Sequence, residues 1–331
     1  MFKLIPKFHV AQRQDLSGSK QFLFRALSVL FALVMGGVFL LCLGYSPLKV
    51  YMSMLNGAIG SSSMQKETIK LVVPLVLTSL GVTLAFKMRF WNIGGEGQIC
   101  AGAIAASYFA YFHNELPSWI LLILMAAASI LAGAMIGLIP AIFKTRFGTN
   151  ETLFTLMLNY IVMNFITYLR EGPWREPNSG FAAMPRFAKQ ARLPSLNFPF
   201  VGPVHIGWVI MIIILIAVYI YMRHTKQGYE LSVVGENEAT ARYAGMPVKK
   251  IIVRTMFLSA GLCGLVGMIQ VSGSDKQLTD AVSNGRGFTA VSVSWLARLS
   301  PIGILLVSFA FAVLQKGSSM MQTEFRIPAS M

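Results

Sequence analysis

The chain has 331 residues, 55% hydrophobic and only 12% charged, with a formal net charge of +15 and a mean hydropathy of +0.63. A soluble domain carries roughly a quarter charged residues, so the balance excludes an ordinary soluble protein and predicts an all-α, polytopic membrane protein. The Lys and Arg excess sits in short loops beside apolar spans, the positive-inside pattern of a membrane protein, and predicts no nucleic-acid partner. Cys42, Cys100 and Cys263 fall in apolar segments, which predicts neither a disulfide framework nor a metal site. None of the four His stands at ligand spacing from a carboxylate or thiol.

Residues 1–22 form a polar, basic segment (Lys3, Lys7, Arg13, Lys20), read as cytosolic. The apolar run Phe22 to Leu43 exceeds the roughly 7–15-residue core of a signal peptide and is long enough to span. Pro47 to Gly60 is too short and polar to span, and is expected along the outer interface. The second span, about Ile69 to Phe86, ends at Lys87 and Arg89. In FWNIGGEGQ, Phe90 to Gln98, three glycines surround one carboxylate and break the helix before a third apolar stretch, Ile99 to Phe112. Irregular backbone at membrane depth is tolerated only inside protein or against a water-filled cavity. Glu96 is therefore either a pathway group, as ionisable residues in membranes usually are, or a carboxylate favoured by the positive end of a helix dipole. A phosphate-loop reading fails, because GGEG has neither the GxGxxG spacing nor a preceding strand.

The fourth span, Trp119 to Phe143, carries Gly133 and Gly137 at GxxxG spacing, a close-packing signal, and Lys144 and Arg146 follow it. In the fifth, Thr152 to Leu169, Thr152, Thr155 and Asn159 share one helical face, either as pathway lining or as hydrogen-bonding glue between helices. Residues 170–203 read as a Pro-rich, aromatic external loop. The sixth span, Val204 to Met222, leads into Arg223–Lys250, the longest cytosolic-looking polar stretch. There Asn237 can cap a short helix, Gly245 suits a left-handed position after it, and Pro247 stops continuation. Glu238 and Arg242 sit at the ends of that helix that favour their signs. So short a helix is marginal alone in water: it either docks on a partner or is a solvated loop.

The seventh span, Ile251 to Val271, carries Gly261, Gly264 and Gly267. Residues 287–299 read as a re-entrant half-helix, the eighth span begins at Pro301, and the polar end falls in the cytosol by alternation. About eight spans result, with broken or re-entrant segments near 90–98 and 287–299. The N-terminus and the basic loops then share one side.

Five stretches carry a resemblance: FWNIGGEGQICAGA (Phe90–Ala103), TLMLNYI (Thr155–Ile161), EGPWREP (Glu171–Pro177), GENEATARYAGM (Gly235–Met246) and GFTAVSVSWLARLSPIGIL (Gly287–Leu305). With them the chain from about residue 20 onward resembles permease subunits of bacterial ABC importers. The type is that of branched-chain amino acids and ribose, in the nucleoside and simple-sugar branch. The resemblance implies a transport subunit of the bacterial cytoplasmic (inner) membrane, not an enzyme, with its N-terminus cytosolic and no cofactor of its own. The partners it implies are a cytosolic ABC ATPase holding ATP and magnesium, a second, related permease and an extracytoplasmic solute-binding protein. It also implies that Glu238, Ala239, Arg242, Tyr243 and Gly245 form the contact with the ATPase. Asn92, Glu96, Gln98, Thr155 and Asn159 are the candidate pathway residues, and their largely uncharged, polar character fits a nucleoside or simple sugar.

The chain departs from the family pattern in three places. Gly245 falls one residue late and Thr240 replaces alanine in the loop motif. Residues 287–299 hold serines and a tryptophan where relatives carry glycine, alanine and leucine. Relatives also carry one more apolar span beyond position 331. Two other classes remain open. An ion-coupled secondary transporter needs protonatable groups in mid-bilayer, and only Glu96 qualifies. A membrane enzyme ranks last, because no carboxylate pair, His cluster or Ser/His arrangement lies in the spans. No GxxxxGK[ST] loop occurs, so ATP hydrolysis would belong to another subunit.

Overall fold

The computed structural model describes residues 18–177, 180, 182–198 and 201–326; most of the N-terminal basic segment lies outside them. The helices are α1 (Gly18–Cys42), α2 (Pro47–Ile59), α3 (Ser62–Lys87), α4 (Gly95–Phe112), α5 (Ser118–Phe147), α6 (Glu151–Glu171), α7 (Gly207–His224), α8 (Lys226–Glu236), α9 (Glu238–Tyr243), α10 (Val248–Ile269), α11 (Arg286–Leu296) and α12 (Pro301–Phe325). Strands β1 (Ser195–Phe198) and β2 (Gly202–His205) form one antiparallel hairpin between α6 and α7. Ser61, Asn150 and Thr225 cap α3, α6 and α8 through side-chain oxygens that accept backbone N–H bonds, satisfying donors that a helix start leaves free.

Six helices are long and apolar enough to cross a membrane, and a seventh span results if Leu27–Cys42 and Pro47–Ile59, bent by 116°, count as one. The sequence reading expected about eight. The difference is α4, whose first turns hold Gly95, Glu96, Gly97 and Gln98 and whose body is alanine-rich. It is helical but not apolar enough by itself, and α5, α6 and α10 enclose it.

The core sits on α3 and α10, the two most buried spans. Helices in a membrane gain little from burying apolar surface against each other, so small residues set their approach. A Cβ on Gly102 of α4 or Gly133 of α5 would strike the backbone of α10 at Gly264, and one on Gly267 would strike the carbonyl of Ile99. The close packing expected of Gly133 and Gly137 is present, since both face α10 at Ala260. Outward faces of α5, α6, α7 and α12 expose Leu131, Ile161, Ile213 and Leu306, as lipid-facing spans do.

Two ends of the bundle differ. At the basic end lie Lys87, Lys144, His224 and the α8–α9 loop; at the hairpin end lie Glu171, the β-hairpin and the start of α7. The hairpin is a departure from the sequence reading, and α7 begins at Gly207 instead of Val204, because the chain from Ser195 to His205 pairs as strands in the register Ser195↔His205. His205 at its foot is buried, with neither ring nitrogen hydrogen-bonded. Burial, and then the charge of Lys70, push its pKa down to about 4.

The stretch 276–299 crosses the bundle as a broken span and is not re-entrant. Lys276 accepts from Phe187 N (2.9 Å) and Leu278 N donates to Tyr111 Oη (3.4 Å) at the hairpin end, whereas Trp295 meets Phe86 and Trp91 beside Lys87. That crossing reverses the direction of α12. Its last turn reaches Tyr45, whose ring lies 6.3 Å from Phe325, and Glu324 accepts from Ser53 Oγ. The described end of the chain therefore lies opposite the basic end, which corrects the placement of the tail by alternation; residues 327–331 lie outside the described part.

Candidate functional site

The break after α3 is held by side chains from three helices. Arg89 turns the chain with φ 56°. Asn92 Oδ1 then accepts from Gly94 N and Gln98 Nε2, both at 3.0 Å. Asn92 Nδ2 donates to Gln98 Oε1 and to Ser259 Oγ of α10, both at 3.3 Å. From α6, Asn159 donates to Ile93 O (2.9 Å) and accepts from Gly97 N (2.8 Å), while Thr155 Oγ1 accepts from Ile93 N (3.3 Å). The irregular part is shorter than the sequence reading had it: α4 starts at Gly95, so Glu96 and Gln98 are helical.

Asn92, Gln98, Thr155 and Asn159 thus gather around the break as one polar knot, and Glu96 stands beside it facing α11; each of the five is at most 1% exposed. The knot answers the accounting question for backbone at membrane depth, where an unpaired amide costs several kcal/mol. Glu96 does the same for a second segment. Its carboxylate accepts from Gly285 N at 2.7 Å and Gly287 N at 2.6 Å. It therefore caps the N-terminus of α11, where Gly285 takes φ 73°, at the positive end of that helix dipole. Glu96 also stands in the first turn of its own helix, α4, where the dipole reading placed it; the cap on α11 is a contact that reading did not include.

At the basic end the expected short helix is one of two. Asn237 ends α8 and caps α9, accepting from Ala239 N (2.9 Å) and Thr240 N (3.2 Å). Gly245 closes it at φ 75°. Glu238, Ala239, Arg242, Tyr243 and Gly245 are all exposed, Tyr243 at 96%, and Glu238 pairs with Arg242 along the helix. The loop is seated from below: Leu231, Val234 and Ala241 are buried, Arg254 of α10 pairs with Glu230 at 3.1 Å, and a Cβ on Gly235 would run into the Lys87 carbonyl. Between α9 and the end of α3 lies a cleft of about 380 Å³ that includes Lys144, Asn237, Glu238 and Ile252.

Sequence reasoning missed Ser259, a single hydroxyl in an apolar span that carries no local signal. It also missed the Gly285 and Gly287 amides, for which the glycine pair of NGRG ahead of α11 was a usable hint. Among the described residues no three His, Cys, Asp or Glu side chains gather as a metal site would need.

A multi-pass helical bundle, interrupted where polar side chains converge and carrying an exposed capped helix at one end, is the build of a membrane transport subunit. The chain belongs to the family described as branched-chain amino acid transport system / permease component, whose model matches residues 66–330. It is 33% identical to the glucose ABC transporter permease protein TsgB13 of Haloferax volcanii, over 92% of this chain and 82% of that one. With the nucleoside ABC transporter permease protein NupB of Lactococcus lactis it shares 31% over 88% and 82%. With the guanosine ABC transporter permease protein NupP of Bacillus subtilis it shares 28% over 92% and 87%. The chain is accordingly an ABC transporter permease, a transport component and not an enzyme, and the ATPase it works with is a separate subunit.

Proposed function

We propose that this chain lines one half of the pore of an importer for a nucleoside or a simple sugar, in the cytoplasmic (inner) membrane of a bacterium. A second, related permease completes the pore, and an extracytoplasmic solute-binding protein delivers solute to the hairpin end. The basic end, with the N-terminus, faces the cytosol, as the positive-inside rule favours. There a cytosolic ATPase, holding ATP and magnesium, seats on α9 through Glu238, Ala239, Arg242, Tyr243 and Gly245. The names of three relatives, for glucose, nucleosides and guanosine, support the solute class.

The observation that carries this reading is α9: a six-residue helix started by the Asn237 cap, whose exposed Glu238 and Arg242 pair with each other and whose Ala241 is buried. It follows directly on α8, itself held to α10 through Glu230 and Arg254 and pressed on the Lys87 carbonyl at Gly235. Motion of a partner on α9 passes through Met246 and Pro247 into α10 as a rigid-body displacement. Asn92, Gln98, Thr155 and Asn159, bonded to one another or to the backbone of the break, fix it beside the path, and Glu96 ties it to α11. Glu96, bonded to two amides, is poorly placed as a mobile proton carrier, so nothing in the site favours ion coupling. The test is uptake of labelled guanosine and glucose into proteoliposomes holding the complete transporter. Uptake of one of them should need ATP and the binding protein. Robust uptake by this chain alone under an ion gradient would overturn the reading.

A further inference from the structure

Two segments interrupt their helices inside the bundle, residues 88–94 after α3 and 276–285 before α11, and residues in and beside them meet twice. One meeting is buried, the Glu96 carboxylate on the amides of Gly285 and Gly287. The other is at the surface. The Trp91 and Trp295 indoles stack with centroids 5.5 Å apart and planes 29° from parallel. Both rest on the buried ring of Phe86, at 5.5 and 5.6 Å. The two indoles are 45% and 47% exposed. Phe288 and Ser292 are exposed on α11 at the spacing that puts them on the Trp295 face.

Irregular backbone persists at membrane depth only where protein covers it or where it borders a water-filled cavity. The inner side of the 88–94 break is covered by Gln98, Thr155, Asn159 and Ser259, which bond to it. Its outer side carries Trp91, exposed, with the indole of Trp295 from α11 stacked on it. It is therefore the side that borders the solute path. Flat π faces on a rigid backing, without a charged group in the stack, recognise a planar ring through its face and tolerate differences at its edge. We infer that Trp91 and Trp295 form a stacking subsite for the heterocyclic base of a nucleoside. The inference rests on the importer reading above and narrows it to base-bearing solutes.

The test uses the complete transporter (this chain with its ATPase, partner permease and binding protein) and 8-azidoguanosine as a photoreactive probe, with the label located by mass spectrometry. Label should fall in the segments 86–92 and 286–299, and excess guanosine but not glucose should remove it. Trp295→Ala and Trp91→Ala should each lower it about tenfold, the scale of one lost base–aromatic stack. Trp295→Phe, which keeps a ring on Phe86 and guards against a folding artefact, should retain most of it. Trp119→Ala, an exposed indole at the hairpin end, should change nothing. Label elsewhere, or equal label in Trp295→Ala and the unsubstituted chain, overturns the subsite. ATP-driven guanosine uptake with label elsewhere sinks the subsite alone; glucose uptake without guanosine uptake sinks the nucleoside reading and the subsite with it.

Discussion

Two short helices in this molecule are capped by a side chain that gathers a pair of backbone amides, and the settings could hardly differ more. Asn237 caps α9 at the exposed basic end; Glu96 caps α11 in the middle of the bundle. Water replaces the first cap when it is lost, because the freed amides of α9 are already at the surface. The second lies inside the bundle, with Gly287 buried and Gly285 half-buried, so the same loss strands two amides, one of them out of reach of water. The contrast separates two uses of one device: Glu96 builds the fold, whereas Asn237 shapes a surface for something outside it.

The largest effect should come from the buried cap. Glu96→Ala is expected to cost about 2–6 kcal/mol, roughly 1–3 for each stranded amide, read as a lower thermal midpoint of the purified permease. A variant as stable as the parent would erase the contrast. His205 tests burial from the opposite direction, as a base with no partner. Its folded pKa of about 4 lies below the ordinary 6.5, so the unfolded chain binds the proton first. Stability is full above pH 6.5 and declines as pH falls toward 4, by at most about 3 kcal/mol. His205→Gln should flatten the dependence in a pH series of unfolding midpoints; an unchanged slope would remove His205 as its source.

Smaller effects belong to the exposed helix. Asn237→Ala should cost about 1 kcal/mol of local helix stability, scarcely move the global midpoint, and still weaken co-purification of the ATPase. Arg242→Glu should shift stability least, about 0.3–1 kcal/mol, and, if α9 is the proposed docking face, should abolish uptake by placing a mispaired charge there. If Arg242→Glu leaves co-purification and uptake intact, α9 is not where the ATPase seats.

What was legible in the sequence follows the range over which each feature is encoded. Asn237, Gly245 and Pro247 act within a few residues of one another, so the ends of α9 could be read directly. The spans were legible as apolar runs and the tight seam as spaced glycines. Glu96 could be singled out as a lone carboxylate among glycines, yet its partners lie 189 and 191 positions away, and no local pattern points to them. Residues 287–299 were read as a re-entrant half-helix because that apolar stretch is too short to span by itself; the polar residues 276–286 that complete the crossing carry no apolar signal. The β-hairpin escaped because its strands have four residues each and Pro203 falls within one of them.

Helices that touch through glycine have no side-chain layer to shear against. Where α4, α5 and α10 meet at Gly102, Gly133, Gly264 and Gly267, a relative slide of even an ångström would drive carbonyl into carbonyl. The three must travel as one block. A displacement of α10 would carry α4 with it across these contacts, and α11 through the Glu96 carboxylate on Gly285 and Gly287. The seam is the stiff part of the molecule, and the looser part is its rim, where α1, α2 and α12 border a cavity of about 500 Å³.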